Sequence, residues 1–219
     1  MQHILNNAPL IVIKQLQLMN EDHFKSINDA KFLLEAIIEL LNLKSLKKPC
    51  KSGYIDVARL VIEKKVTDYN WGLFGACKGG QLDIINLMIE KGETDWDGGL
   101  LGASRGGHID IVQLMIEKGA TRWDGGLMGA SRGGHIDIAR SMIKLGATNW
   151  NLGLECACLK GHIDVVRLLI EFGANNWDSG LFGASEGGHI DIARLMIEKG
   201  AKIRNSSTRR FLNRHKNIP

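Results

Sequence analysis

The sequence predicts an all-α protein assembled from repeated two-helix units, and three observations carry that prediction. First, the phrase GHIDIVQLMIEKGA at residues 107–120 returns as GHIDIARSMIKLGA, GHIDVVRLLIEFGA and GHIDIARLMIEKGA, always 27 residues further on. The position of His108 recurs forward as His135, His162 and His189 and backward as Gln81 and Tyr54, giving six copies without an insertion. Second, the phrase has helical periodicity: polar Asp110, Gln113 and Glu117 form one narrow stripe, and Ile109, Ile111, Val112, Leu114, Met115 and Ile116 surround it. Third, a Leu and an Ala three residues apart, hence on one helical face, precede the phrase as Leu73/Ala76, Leu100/Ala103, Leu127/Ala130, Leu154/Ala157 and Leu181/Ala184. A fixed period of this length marks an array whose units bury their apolar faces against their neighbours.

In chain order, residues 1–45 are expected to form an N-terminal helical cap. The run NDAKFLLEAIIELLNL at 28–43 keeps Lys31, Glu35, Glu39 and Asn42 on one stripe and leaves an apolar surround that residues 10–19, LIVIKQLQLM, can cover. An adaptor module is the alternative reading of these helices, although no adaptor motif stands out. The repeats occupy 46–203. Their first copy is irregular because Pro49 stands in the Ala column, where it has no N–H to give a helix.

Each later copy reads as a shorter helix, a glycine turn, a longer helix and a short link. The shorter helix is expected to open at Asn70, Asp97, Asp124, Asn151 or Asp178, residue types whose side-chain oxygen caps a first turn. Gly75, Gly102, Gly129 and Gly183 fall inside it. Interior glycine costs roughly 0.5–1 kcal/mol against alanine, so these four imply a neighbouring backbone that needs the room. The longer helix carries Asp56/Arg59/Glu63, Asp137/Arg140/Lys144, Asp164/Arg167/Glu171 and Asp191/Arg194/Glu198 as a solvated outer stripe. It ends before Gly92, Gly119, Gly146, Gly173 or Gly200, where a left-handed cap belongs. Residues 204–219 close the array as a basic tail, with Phe211, Leu212 and Ile203 forming a terminal cap whose outer side is wet.

These columns resemble the ankyrin repeat. The family's run from the Leu of its TPLH opening through AA, the Gly-His turn and the closing LL-x-x-GA matches Leu100, Ala103, Ser104, Gly107, His108, Ile111, Val112, Leu114, Met115, Gly119 and Ala120 without a gap. The likeness spans residues 46–203. The family's unit is about 33 residues long, so about six are missing from each copy between the closing GA and the next Leu, and the TPLH opening is absent. The resemblance therefore implies an ankyrin-like α-solenoid of stacked helix-turn-helix repeats whose β-hairpin fingers are shortened or absent. Arrays with a Trp ahead of each shorter helix are similar to those encoded by large DNA viruses, which implies a host-interaction adaptor.

At 44% apolar and 24% charged residues, the 219-residue chain has the composition of a folded, soluble protein. No apolar run approaches the roughly 18 residues of a membrane span, and MQHILNNAPLIVIKQ has neither a charged leader nor a cleavage site. An intracellular place, cytoplasmic or nuclear, without a membrane partner is expected. Cys50, Cys77, Cys156 and Cys158 form no disulfide framework and no paired zinc pattern. The net charge of +4 invites a nucleic-acid reading, but residues 54–200 hold 15 basic against 19 acidic side chains, a net of −4, while 201–219 hold 6 basic and none acidic. Nucleic acid is therefore the alternative partner, through the basic ends and the basic track described below, and protein the expected one. No GxxxxGK[ST], GxSxG or HExxH run is present, so no catalytic residue, cofactor or small-molecule substrate is expected.

Two regular columns need a reading of their own. Stacked helices lie roughly 8–10 Å apart, whereas zinc ligands sit about 2.0–2.1 Å from their ion, so successive histidines cannot share a metal. Each is expected to bond backbone in its own loop. The aromatic column Tyr69, Trp96, Trp123, Trp150 and Trp177 is expected to fill the space a finger would take, with a stacking platform as the alternative. Trp71 lies off that column and is the better candidate for an exposed contact.

A scaffold keeps its frame and varies the face it presents. Counting from the fixed Leu, the next residue is Phe74, Leu101, Met128, Glu155 or Phe182, and the fifth is Lys78, Arg105, Arg132, Leu159 or Glu186, on the same helical face. In the ankyrin family this face lines the concave surface. The resemblance thus implies a basic track of Lys78, Arg105, Arg132 and Lys160 beside apolar Phe74, Leu101, Met128 and Phe182, with Trp71, Glu155 and Glu186 completing a partner-binding face. Arginine beside exposed apolar groups is the chemistry of protein hot spots.

Overall fold

The computed structural model describes residues 45–63 and 65–215. The expected N-terminal cap up to residue 44, with its helix over 28–43, lies outside the described residues, as do the last four residues of the tail. Among the described residues there are thirteen α-helices and no strand. They form six successive pairs: α1 (Lys47–Lys51) with α2 (Ile55–Glu63), α3 (Tyr69–Gly79) with α4 (Leu82–Glu90), α5 (Trp96–Gly106) with α6 (Ile109–Glu117), α7 (Trp123–Gly133) with α8 (Ile136–Leu145), α9 (Trp150–Lys160) with α10 (Ile163–Glu171), and α11 (Trp177–Gly187) with α12 (Ile190–Glu198). A last helix, α13 (Ser206–Arg214), packs on α11.

Helix lengths reverse the sequence expectation. From the second pair on, the first helix has 11 residues and the second 9, or 10 in α8. The first helix is longer than expected in part because it starts at the aromatic residue, one place before the expected cap. In α5, α9 and α11 the capping oxygen comes from the residue ahead of that aromatic: Asp95, Asn149 and Asn176 accept the N–H of Gly98, Leu152 and Ser179 at 2.9, 3.3 and 3.2 Å.

The first helices pack flank to flank through the whole stack, and the second helices touch one another far less. Spacing is therefore tighter on the first-helix side. The interior glycines permit this. A Cβ on Gly75, Gly102, Gly129 or Gly183 would lie 2.4, 2.5, 2.6 or 2.8 Å from the carbonyl oxygen of Lys47, Phe74, Leu101 or Glu155 in the preceding first helix. The fixed Leu and Ala columns fill the seam between the layers at 0–1% exposure. Each buried Leu contributes about 1.5–3 kcal/mol relative to an exposed one. The stripe along the second helices is solvated as expected, except that Arg194 is half-buried.

The expected capping residues have a different task. Each sits in the second position of its helix and reaches forward to the link of the next repeat. Asp97 Oδ1 accepts the N–H groups of Thr121 and Arg122, both at 2.8 Å. Asp124 does the same for Thr148 and Asn149, both at 2.8 Å, and Asn151 for Asn175 and Asn176 at 2.8 and 2.9 Å. Asp178 takes Lys202 N–H at 2.7 Å and pairs with the Arg204 guanidinium. Asn70 is the exception: Glu93 Oε1 serves its own repeat, accepting from Thr94 and Asp95 at 2.8 and 2.6 Å. These bonds satisfy link N–H groups that a hairpin finger would otherwise pair.

At the C-terminal end, Asn205 caps α13 by accepting the N–H of Thr208 at 2.7 Å. Phe211 packs half-buried on the core, whereas Ile203 is 43% exposed. The terminal cap thus rests on Phe211 and not on Ile203.

Candidate binding face

The histidine column is structural, but not within one loop. His162 Nε2 lies 3.3 Å from the carbonyl oxygen of Arg132 in the preceding repeat, and His135 bonds the Arg105 backbone in the same way. The His135 ring slots between two glycines: a Cβ on Gly107 or Gly133 would lie 2.4 Å from it. Gly107 also has φ +82°, a left-handed backbone that side chains disfavour. The expected bond to the residue's own loop is thereby corrected to a bond between repeats. Burial lowers the His135 pKa, and the neighbouring His162 and His108 lower it further.

The aromatic column is half-buried and packs on the core, and the Trp150 indole N–H donates to Ala147 O at 2.8 Å. Fillers of the missing finger behave in this way. Burial pushes the Cys50, Cys77 and Cys158 thiols up to about 12, so they carry no thiolate chemistry at neutral pH. No three His, Cys, Asp or Glu side chains gather as a metal site among the described residues.

The varying face of the first helices separates into three parts. At the N-terminal ends of α3, α5 and α7 lies a hollow of about 630 Å³, into which Trp71, Phe74, Leu101 and Met128 contribute surface. Trp71 is 48% exposed, but Phe74 is only 8% exposed, because Trp71 meets it edge-on at 5.8 Å and Lys47 Nζ lies 4.9 Å from its ring centre. The expectation that Phe74 offers a free contact is corrected accordingly.

At the C-terminal ends of the same helices runs the basic row. Lys78, Arg105 and Arg132 are half-buried. Desolvation lowers the Lys78 pKa, and the charges of Arg105, Lys51 and Lys47 lower it further. Four cations therefore share one field, and Lys47 and Lys51 of the first copy belong to it although the sequence reading left them out. They occupy the same two register positions as Phe74 and Lys78, a signal that was present in the sequence. Leu159 interrupts the row in α9, and Lys160 stands exposed beyond it.

The third part lies at the C-terminal end. There Glu155 and Phe182 line a smaller hollow of about 210 Å³ with Arg204, Asn205 and Thr208. Glu186 is exposed and outside both hollows. The expected single face is thus an apolar hollow, a basic row and a separate C-terminal corner.

This architecture is that of a helical repeat scaffold. The family model described as ankyrin repeats, in three copies, matches residues 127–207. The same two-helix unit continues upstream at the same spacing. Among solved structures, the crystal structure of the human ASB11 ankyrin repeat domain is similar at 22% identity and a TM-score of 0.49, covering 74% of this chain and 87% of that one. No curated protein sequence matches the chain.

Proposed function

We propose that the chain is a non-enzymatic module that binds a protein partner on its concave first-helix face, using Trp71, Leu101 and Met128 with Lys78, Arg105 and Arg132. Ankyrin repeats generally mediate protein–protein interaction, and the observation that carries the finer reading is chemical variation along one face of the first helices beside fixed, buried columns. The fixed columns are buried, while the varying side chains collect around an open hollow and a basic row. The proposal extends to a host factor in a virus-infected cell, as the resemblance to viral arrays implies. The triple charge reversal Arg105→Glu, Arg132→Glu and Lys160→Glu tests it in affinity capture from a host lysate. A partner recovered by the wild type and lost by the folded variant supports it; equal recovery refutes it.

The second reading is nucleic-acid binding through the basic row and the exposed Arg209, Arg210 and Arg214 of α13. Phosphate contacts release counterions, so that reading requires an RNA or DNA affinity that falls steeply with salt. The net −4 of residues 54–200 opposes it.

A further inference from the structure

The hollow between α3, α5 and α7 has a chemistry that selects one kind of occupant, and this inference rests on the concave-face reading. Two residues before the fixed Leu, successive first helices carry Trp71, Gly98, Gly125 and Leu152. Trp71 and Leu152 are 48% and 37% exposed, and of the two glycines between them Gly98 has the Asp95 carboxylate against it while Gly125 faces open space. Gly125 relieves no crowding: a Cβ there would meet nothing nearer than Arg122 Cβ at 4.0 Å. It therefore differs from Gly102 and Gly129, whose neighbours are backbone oxygens. Glycine in a helix costs stability, and at 125 what it leaves is an open hollow.

The floor of that hollow is apolar, formed by Phe74, Leu101 and Met128, and its lining holds Asp95, Asp97 and Asp124 against Arg122, with Lys47 Nζ behind the Trp71 ring at 3.9 Å from its centre. The lining charge is thus 1 − 3, or −2. The link bonds of Asp97 and Asp124 use Oδ1 alone, which leaves Oδ2 of each for a ligand. A volume of about 630 Å³ lies within the range of sites that engulf a ligand group.

We infer that this hollow takes a leucine-sized or aromatic side chain of a partner peptide, with an adjacent Arg or Lys of that peptide held by Asp97 and Asp124. An apolar anchor inside a polar rim is the arrangement of an interface hot spot. The acidic rim repels phosphate, so the occupant is a peptide and not a nucleic acid. The basic row at the far ends of the same helices repels the peptide's cation and fixes its direction.

The test selects a random peptide library on the whole chain and measures the winners by fluorescence anisotropy. The expected consensus is a bulky apolar residue next to Arg or Lys. Gly125→Leu fills the hollow and is expected to weaken these peptides roughly tenfold or more while the thermal midpoint holds or rises, because leucine has the higher helix propensity. Asp97→Asn keeps an acceptor for the link, as Asn151 does in its own repeat, and is expected to weaken binding several-fold and flatten its salt dependence. An acidic consensus, or unchanged affinity in Gly125→Leu, overturns the inference. Peptides lost in Arg105→Glu/Arg132→Glu but retained in Gly125→Leu overturn the hollow and leave the concave-face reading standing. Peptides indifferent to both variants overturn both.

Discussion

Replacing Asp124 with alanine removes the one carboxylate oxygen that holds the next link through two hydrogen bonds. Its Oδ1 takes the Thr148 and Asn149 N–H groups at 2.8 Å each. Buried neutral hydrogen bonds contribute about 0.5–1.5 kcal/mol apiece, and bonds to a carboxylate about twice that. Asp124 and both link residues are exposed, however, so the freed N–H groups turn to water and the low end applies. The expected loss for Asp124→Ala is about 1–2 kcal/mol, or about 2–8 °C in thermal midpoint for a domain of this size. Asp124→Asn keeps the acceptor and loses only the favourable charge at a helix N-terminus, about 0.3–1 kcal/mol. Nature supplies the control in Asn151, which makes the same pair of bonds at 2.8 and 2.9 Å. Urea titration and thermal melting followed by circular dichroism measure both variants. If alanine proves as stable as wild type, or asparagine as damaging as alanine, the account of these side chains as links between repeats is wrong.

The interior glycines and the histidines give two further expectations. Gly102→Ala gains helix propensity of about 1 kcal/mol but drives a Cβ to 2.5 Å from Phe74 O; overpacking of about 1–3 kcal/mol outweighs the gain, so a net fall in the urea midpoint is expected, whereas a rise would show that first helices separate freely. His135 has its pKa lowered in the fold, first by burial, so the folded state prefers the neutral ring. That contribution is complete above the unfolded value of about 6.5 and is lost as pH falls below it through the folded value. Melting between pH 7.5 and 5 should therefore show falling stability, with a shallower slope in His135→Gln, the residue type that Gln81 already places in this column.

Much of the fold was legible because a repeat states its constraints several times over. The buried Leu and Ala columns, the crowded glycines and the half-buried Trp column follow from which residue types recur at 27-residue spacing. Helix lengths were misread, since Asp and Asn near a helix start serve equally as caps or as acceptors for a neighbouring loop, and one linear pattern cannot distinguish them. The candidate face was half legible. Its varying columns were visible, but the covering of Phe74 by Trp71 and Lys47 depends on contacts between two repeats.

The sequence by itself determined the repeat, its period, its two helices and the inward side of each, because helical periodicity and side-chain size act locally and recur. Only the tertiary structure decided what the variable side chains meet. The hollow over Gly125, the sharing of one field by Lys47, Lys51, Lys78 and Arg105, and the reach of His135 and His162 to the previous repeat all arise across the seam between units. Distances across that seam are set by how closely two backbones approach, and the approach is a property of the stacked pair that no single copy contains.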